Sequence, residues 1–287
     1  MGNVTALLSR WLRPRDPRPW QIFALTMLLT VGTFILGFDL SPWHPPVVLG
    51  AALITQWIGA RWIADLPFDP LSPAITALSL SLLLRTDALW LSALGAAVAI
   101  GSKFLIRFDG RHIFNPANLT LVALPILFSG AWISPGQWGS AGLLAVVIAG
   151  AGAAVAGRAA RLDTTLAFLA AWAALSFGRA LWLGDPMAIP IHQLQSGAVL
   201  VFAFFMISDP ATTPVHRSTR ILHAIAVAGL GFALQTAWIT NAGAIMALVL
   251  LAPIVPVLNR FSAQRSSKRE TRPCSPSRPP ELSPARP

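Results

Sequence analysis

Apolar residues fill most of the chain in long stretches, broken by short polar or turn-forming runs. A helix needs about 20 mostly apolar residues to cross the hydrocarbon layer of a bilayer. Ten segments approach that pattern: 20–38, 46–63, 73–84, 88–106, 114–128, 138–156, 164–183, 194–207, 219–238 and 242–258. The third and eighth are short for a straight crossing, so they are expected to be broken or tilted. The pattern predicts an all-α, polytopic membrane protein.

Composition narrows the class further. Of 287 residues, 55% are hydrophobic and 11% charged, with a mean hydropathy of +0.64. A soluble domain carries about a quarter charged residues. An ordinary soluble enzyme, a disordered chain and a fibrous protein are therefore excluded. The single cysteine, Cys274, permits no internal disulfide framework and no iron–sulfur cluster built on several cysteines of this chain. The first 20 residues lack an apolar core followed by a small-residue cleavage site, so no removable signal peptide is expected. Residues 260–287 hold six Pro, six Ser and seven Lys or Arg. Such a tail cannot bury apolar surface and is expected to be disordered.

The net charge of +10 would suggest nucleic acid in a soluble protein. In a membrane protein, the placement of the charges carries the information. With the N-terminus in the cytoplasm and ten alternating crossings, 19 of the 21 Lys and Arg fall inside, and only Arg85 and Arg179 fall outside. The expected topology is multi-pass in a bacterial inner membrane, with both termini cytoplasmic and the lipid bilayer as a partner. No nucleic-acid partner is expected. The organisation reads as a basic N-terminus (1–19), two five-span halves (20–129 and 138–259) and a basic tail (260–287).

The two short segments lie five apart. One ends in Arg85-Thr86-Asp87, the other in Ile207-Ser208-Asp209. The fifth span opens with Asn115-Pro116-Ala117-Asn118 and the tenth with Thr240-Asn241-Ala242-Gly243. Halves with an odd number of spans lie in opposite orientations, so the pattern predicts inverted repeats with discontinuous helices.

Candidate chemistry is sparse. Both glutamates, Glu270 and Glu281, lie in the tail. Asp87 and Asp209 are the ion or proton candidates, weighed against plain turn aspartates facing water. Asn115 suits a helix cap and Pro116 its first turn. Beside Lys103, Arg107, Arg111 and His112, Asn115 and Asn118 can also hold a polar ligand or ion at a helix start. Ser196 and Gly197 permit close backbone approach, for a ligand or for helix packing. Asn241 is the counterpart in the tenth span. Five scattered histidines give no metal-ligand spacing, and hydrolase and nucleotide-binding motifs are absent.

Two stretches carry a family resemblance. They are Gly110-Arg111-His112-Ile113-Phe114-Asn115-Pro116-Ala117-Asn118, and Leu194-Gln195-Ser196-Gly197-Ala198 followed by Phe202 to Thr212. Both resemble the RnfD/NqrB family of membrane subunits in ion-translocating ferredoxin–NAD and NADH–quinone oxidoreductases. The resemblance implies ten spans in two inverted halves and partnership with other membrane or redox-complex subunits. It also implies transmembrane electron transport by flavin, coupled to Na⁺ or H⁺ movement. The family attaches FMN covalently to a Thr in a Ser-x-Ala-Thr motif within a long insert between the halves. Here that connection is about residues 129–137, and Ser196-Gly197-Ala198-Val199 has Val in the Thr position. Covalent FMN is therefore not expected, while a noncovalent riboflavin or FMN stays open. Shortened relatives of the UnbU type, associated with enediyne biosynthesis, are similar too. Two other readings stand beside electron transport: a redox-independent transporter or channel on the same scaffold, and a membrane accessory protein of a biosynthetic cluster.

Overall fold

The computed structural model describes residues 16–134, 142–238 and 242–270. Helix α1 spans Arg18–Phe34, and the Asp16 carboxylate accepts its first N–H at 3.0 Å. Helix α2, His44–Ile58, opens on a proline pair and runs into a π-helical turn over Gly59–Ile63. Helix α3, Leu71–Leu83, is followed by strand β1, Leu84–Thr86. Helix α4 covers Leu89–Leu105. Strands β2, Arg107–Phe108, and β3, Arg111–His112, form a hairpin turning on Asp109 and Gly110, whose φ angles are 48° and 77°. An Asp-Gly pair with two positive φ angles suits the twist of a two-residue hairpin. Helix α5, Pro116–Leu127, leads to strand β4, Ala131–Ile133, which pairs antiparallel with β1.

The second part of the chain begins with α6, Gly142–Arg158, and α7, Leu162–Leu183. The latter ends on Gly184 in the left-handed conformation, φ 74°. Helices α8, Ala188–Gln195, and α9, Gly197–Val201, meet at a 49° bend, and α9 continues as a π turn over Phe202–Met206. Helix α10 is Arg217–Trp238. Helices α11, Gly243–Leu251, and α12, Ile254–Glu270, meet at 53°.

Among the described residues, three helices are long and apolar enough to cross a bilayer: α2 with its π turn, α7 and α10. The count rises to five if each bent pair is one span, and α3 to α6 are shorter apolar helices. The third segment is short, as its sequence suggests, and the eighth is broken at Ser196. The strands depart from an all-helical expectation. At two or three residues each, they are too short to leave an alternating pattern in the sequence. Helix α12 also runs to Glu270, well into the stretch whose composition suggests disorder. Residues 260–270 contain no Gly or Pro to stop it.

In the first half, α1 and α2 pack on α3, α2 on α4, and α4 on α5. In the second, α6 packs on α9 and its π turn, α7 on α10, and α10 on α11. Contacts of α1 with α6 and of α5 with α11 join the two sets. One core runs through both, including Leu80, Leu83, Phe168, Trp172, Phe202 and Phe205. Phe168 is its hub, with ring centroids 5.5 Å from Trp172 and 5.1 Å from Phe202. Phe23, Ile54, Val146, Leu166 and Leu222 point outward in mid-helix and are exposed. A water-soluble fold would not present such a surface; a lipid-facing one does.

Candidate functional site

The starts of α1, α3 and α5 converge with the end of the α9 π turn on a cavity of about 340 Å³. It lies at the end of the bundle that carries the basic loops. Its walls mix Ile75, Val155 and Phe205 with the polar Ser72, Thr76 and Asn115. Asn115 has two tasks there. Its Oδ1 accepts the Asn118 N–H at 3.2 Å, which caps α5, and its Nδ2 donates to Asp209 Oδ2 at 3.1 Å. One side chain thereby ties the first turn of α5 to a turn 94 residues away.

Asp209 is held in place by its own loop. Its Oδ1 accepts the Ala211 N–H at 2.9 Å, and the Thr212 hydroxyl donates to Oδ2 at 3.3 Å. The Thr213 hydroxyl donates to the Asp209 carbonyl at 2.8 Å and accepts from Arg161 Nε at 3.2 Å. Behind it, Asp163 at the start of α7 takes Arg220 Nε at 3.1 Å and Nη2 at 2.5 Å, with Arg217 at 3.5 Å. Across the cavity, Arg18 bonds Asp16 and Asp69. Lys103 Nζ donates to Gln56 Oε1 at 3.0 Å and Ser72 Oγ at 2.9 Å. His112 lines the same space. Burial lowers its pKa, Lys103, Arg107 and Arg111 push the same way, and Asp209 opposes them.

Asn118 lies one turn further along α5, fully buried, and neither polar atom of its amide finds a partner among the described residues. A buried amide left this way calls for water or a ligand group.

The remaining candidates lie elsewhere. Ser196 sits in the break between α8 and α9, on a second cavity of about 190 Å³ shared with Trp172, Gln193 and Gln235. The Trp172 indole is fully buried and its N–H has no acceptor among the described residues. Gly197 opens α9 and is buried. Asp87 is exposed beside the β1–β4 ladder, its N–H bonded to the Gly130 carbonyl at 2.9 Å and its carboxylate against the Gly130 backbone. Asn241 lies outside the described residues. The structure thus brings Asn115 and Asp209 together, sets Asn118 behind them, and separates Ser196, Gly197 and Asp87.

Sequence reasoning missed a second polar group. His44, 3% exposed at the start of α2, has Nδ1 2.9 Å from Ser92 Oγ, which lies 2.5 Å from Thr86 Oγ1. Nothing in the order of residues ties His44 to Ser92. The Asp163–Arg220 pair was more accessible, since opposite charges open two successive long helices.

A helical bundle with a lipid-type surface and polar cavities at its helix breaks defines a helical membrane protein. The sequence profile of the NQR2, RnfD, RnfE family matches residues 127–268. A relative from Stutzerimonas stutzeri, named as one subunit of an ion-translocating oxidoreductase complex, is 26% identical over 252 residues, covering 64% of this chain and 71% of the relative. Both comparisons support membership of the NQR2, RnfD, RnfE family.

Proposed function

We propose that this chain is an integral subunit of an ion-translocating oxidoreductase in a bacterial inner membrane. In this reading it spans ten times in two inverted halves, with both termini cytoplasmic. It passes electrons through the membrane in company with other redox subunits, coupled to Na⁺ or H⁺ movement. The match to the family profile and the relative's name support the class.

Three structural equivalences support the inverted halves. The contacts α1–α3, α2–α4 and α4–α5 recur as α6–α9, α7–α10 and α10–α11. The starts of α2 and α4 are linked by His44 and Ser92, and those of α7 and α10 by Asp163 and Arg220. The larger cavity takes the starts of α3 and α5 with the end of the α9 π turn; the smaller takes the starts of α9 and α11 with Leu83 at the end of α3.

The observation that carries the functional reading is the cavity around Asn115 and Asp209. Its amide and hydroxyl groups on apolar walls match a flat ring with an amide-like polar edge, such as a noncovalently held flavin. Asn115, Thr76 and Ser72 would hold such an edge, and Ile75 and Phe205 would cover the faces. A bound flavin would supply one-electron exchange. Asp209 is the ion or proton candidate beside it. Ser196, at the smaller cavity, Gly197 next to it, and Asp87, just after strand β1, are the further candidates in this reading.

The test is an absorbance and fluorescence spectrum of the purified chain, alone and with co-purified partners, before and after denaturation. Released flavin is expected, and Asn115→Leu is expected to lose it while keeping a cooperative unfolding transition. Absence of flavin from every fraction would remove the electron-transfer reading. Donor-independent ion flux in proteoliposomes would then favour a plain transporter.

A further inference from the structure

A groove of about 290 Å³ adjoins the larger cavity, sharing His112 and Ala211 with it, and lies between the β2–β3 hairpin, the loop before α10 and the first turns of α12. Its floor is apolar, made of Ile113, Val215, Val255 and Pro256. Its rim is basic, with Arg111 on the hairpin and Arg260 on α12. Both arginines are exposed. Arg107 and Arg217 add further exposed cations nearby. The acid on the rim is Asp109, paired with Arg260 at 3.3 Å with both side chains more than 60% exposed. Exposed pairs of this kind contribute little and exchange partners readily. The Arg260 guanidinium also lies 4.5 Å from the centre of the Phe108 ring, which fixes the direction of its donors. The Val215 N–H donates to Asn259 Oδ1 at 2.9 Å and holds α12 against the loop.

The position of the groove decides what fits it. Leu105 and Ile106 end α4 beside the hairpin and are exposed. Ile254, Val257 and Phe261 on α12 are exposed as well. An apolar lateral surface therefore meets a row of arginines at one level of the bundle. Phospholipids change from acyl chain to phosphate over the same distance. Basic pockets between helices on the cytoplasmic side are suited to anionic headgroups.

We propose that this groove binds an anionic phospholipid. Arg111 and Arg260 hold the phosphate, His112, Thr212 and Asn259 supply further polar contacts, and the acyl chains run along Ile254 and Val257. The proposal rests on the membrane embedding proposed above. It does not depend on flavin or electron transfer, so the flavin spectrum and the lipid experiment fail independently.

The experiment uses the full chain in nanodiscs of zwitterionic phosphatidylcholine, with recovery in the discs as the check on membrane embedding. Phosphatidylglycerol or cardiolipin is then titrated in, and the melting midpoint and lipid retained on native mass spectrometry are followed. Stabilisation that saturates with anionic lipid is expected, with none from inorganic phosphate at equal concentration. The double variant Arg111→Gln/Arg260→Gln should weaken the apparent lipid affinity roughly thirtyfold. The charge-conserving Arg111→Lys/Arg260→Lys should keep most of it, and Arg61→Gln, at the end of α2, should match the wild type. Equal stabilisation of wild type and the double Gln variant, an equal loss in Arg61→Gln, or equal effects of zwitterionic and anionic lipid would overturn the site.

Discussion

His112 shows how a single residue reports on the charge around the larger cavity. Its ring lies between three cationic side chains and Asp209, and burial is the largest of the forces on it. Burial and the cations disfavour the imidazolium, so the folded protein holds that proton less tightly than the unfolded chain, whose histidine titrates near 6.5. Above about pH 6.5 both states are neutral and the stability is fully present. As pH falls below that value, the unfolded chain takes up the proton first, and stability is lost until the folded pKa is passed. Thermal unfolding in detergent between pH 5 and 8 should show the wild type losing at least about 2 °C more than His112→Gln over this fall. Parallel curves for the two proteins would mean that the ring is not under this control. The comparison removes the contributions of His44 and His223, which both proteins share.

At the scale of elements, close packing of small residues holds α10 to α11. A side chain built on Gly243 would collide with the carbonyl oxygen of Gly231, and one on Gly231 would meet the backbone of Ala244 at 2.8 Å. Backbone against backbone leaves nothing flexible to move aside. Gly229, in the same helix, faces open space. Gly243→Ala should therefore destabilise the fold by about 1–3 kcal/mol, while Gly229→Ala should be neutral or slightly stabilising through helix propensity. Melting midpoints of the two variants decide the matter, and equal values would remove the close approach. The glycines stand plainly in the sequence, but which of them touches a neighbour does not. The same holds for the elements at large. The apolar run lengths made the helices legible, and Asn115-Pro116 announced the start of α5 because a cap and a first-turn proline are local signals. The π turns at Gly59 and Phe202 left no local signal, nor did the His44–Ser92 link or the burial of Trp172. Those features depend on where the helices cross. Of the candidate site, Asn115 and Asp209 were legible as helix-end and turn residues, but their 3.1 Å contact joins segments 94 residues apart. That contact is a property of the packed bundle.

For the whole molecule, the distribution of cations is the strongest constraint on orientation. Lys103, Arg111, Arg161 and Arg220 belong to different elements, yet they gather around the same end of the bundle near Asp209 and Asp163. Arg85 lies elsewhere, buried against the carbonyls of Ser81 and Leu84, and Arg179 pairs with Asp185 at 3.3 Å. In the topology proposed above, the basic N-terminus, four loops and the tail all favour the same direction, so their retention would orient the whole bundle at once. Fusions of a reporter active only in the cytoplasm should be active after Arg158 and after Pro287, and inactive after Gly184. A fusion after Arg111 should be active too. Moving the bias should move the topology: replacing Arg158 and Arg161 with Gln removes one retained loop of several, so the distal fusions should keep their pattern with only a minor inverted fraction. A full inversion from that change would mean that one loop orients the second half, and the halves would then insert independently. Unchanged orientation would show many weak signals acting together on one packed core.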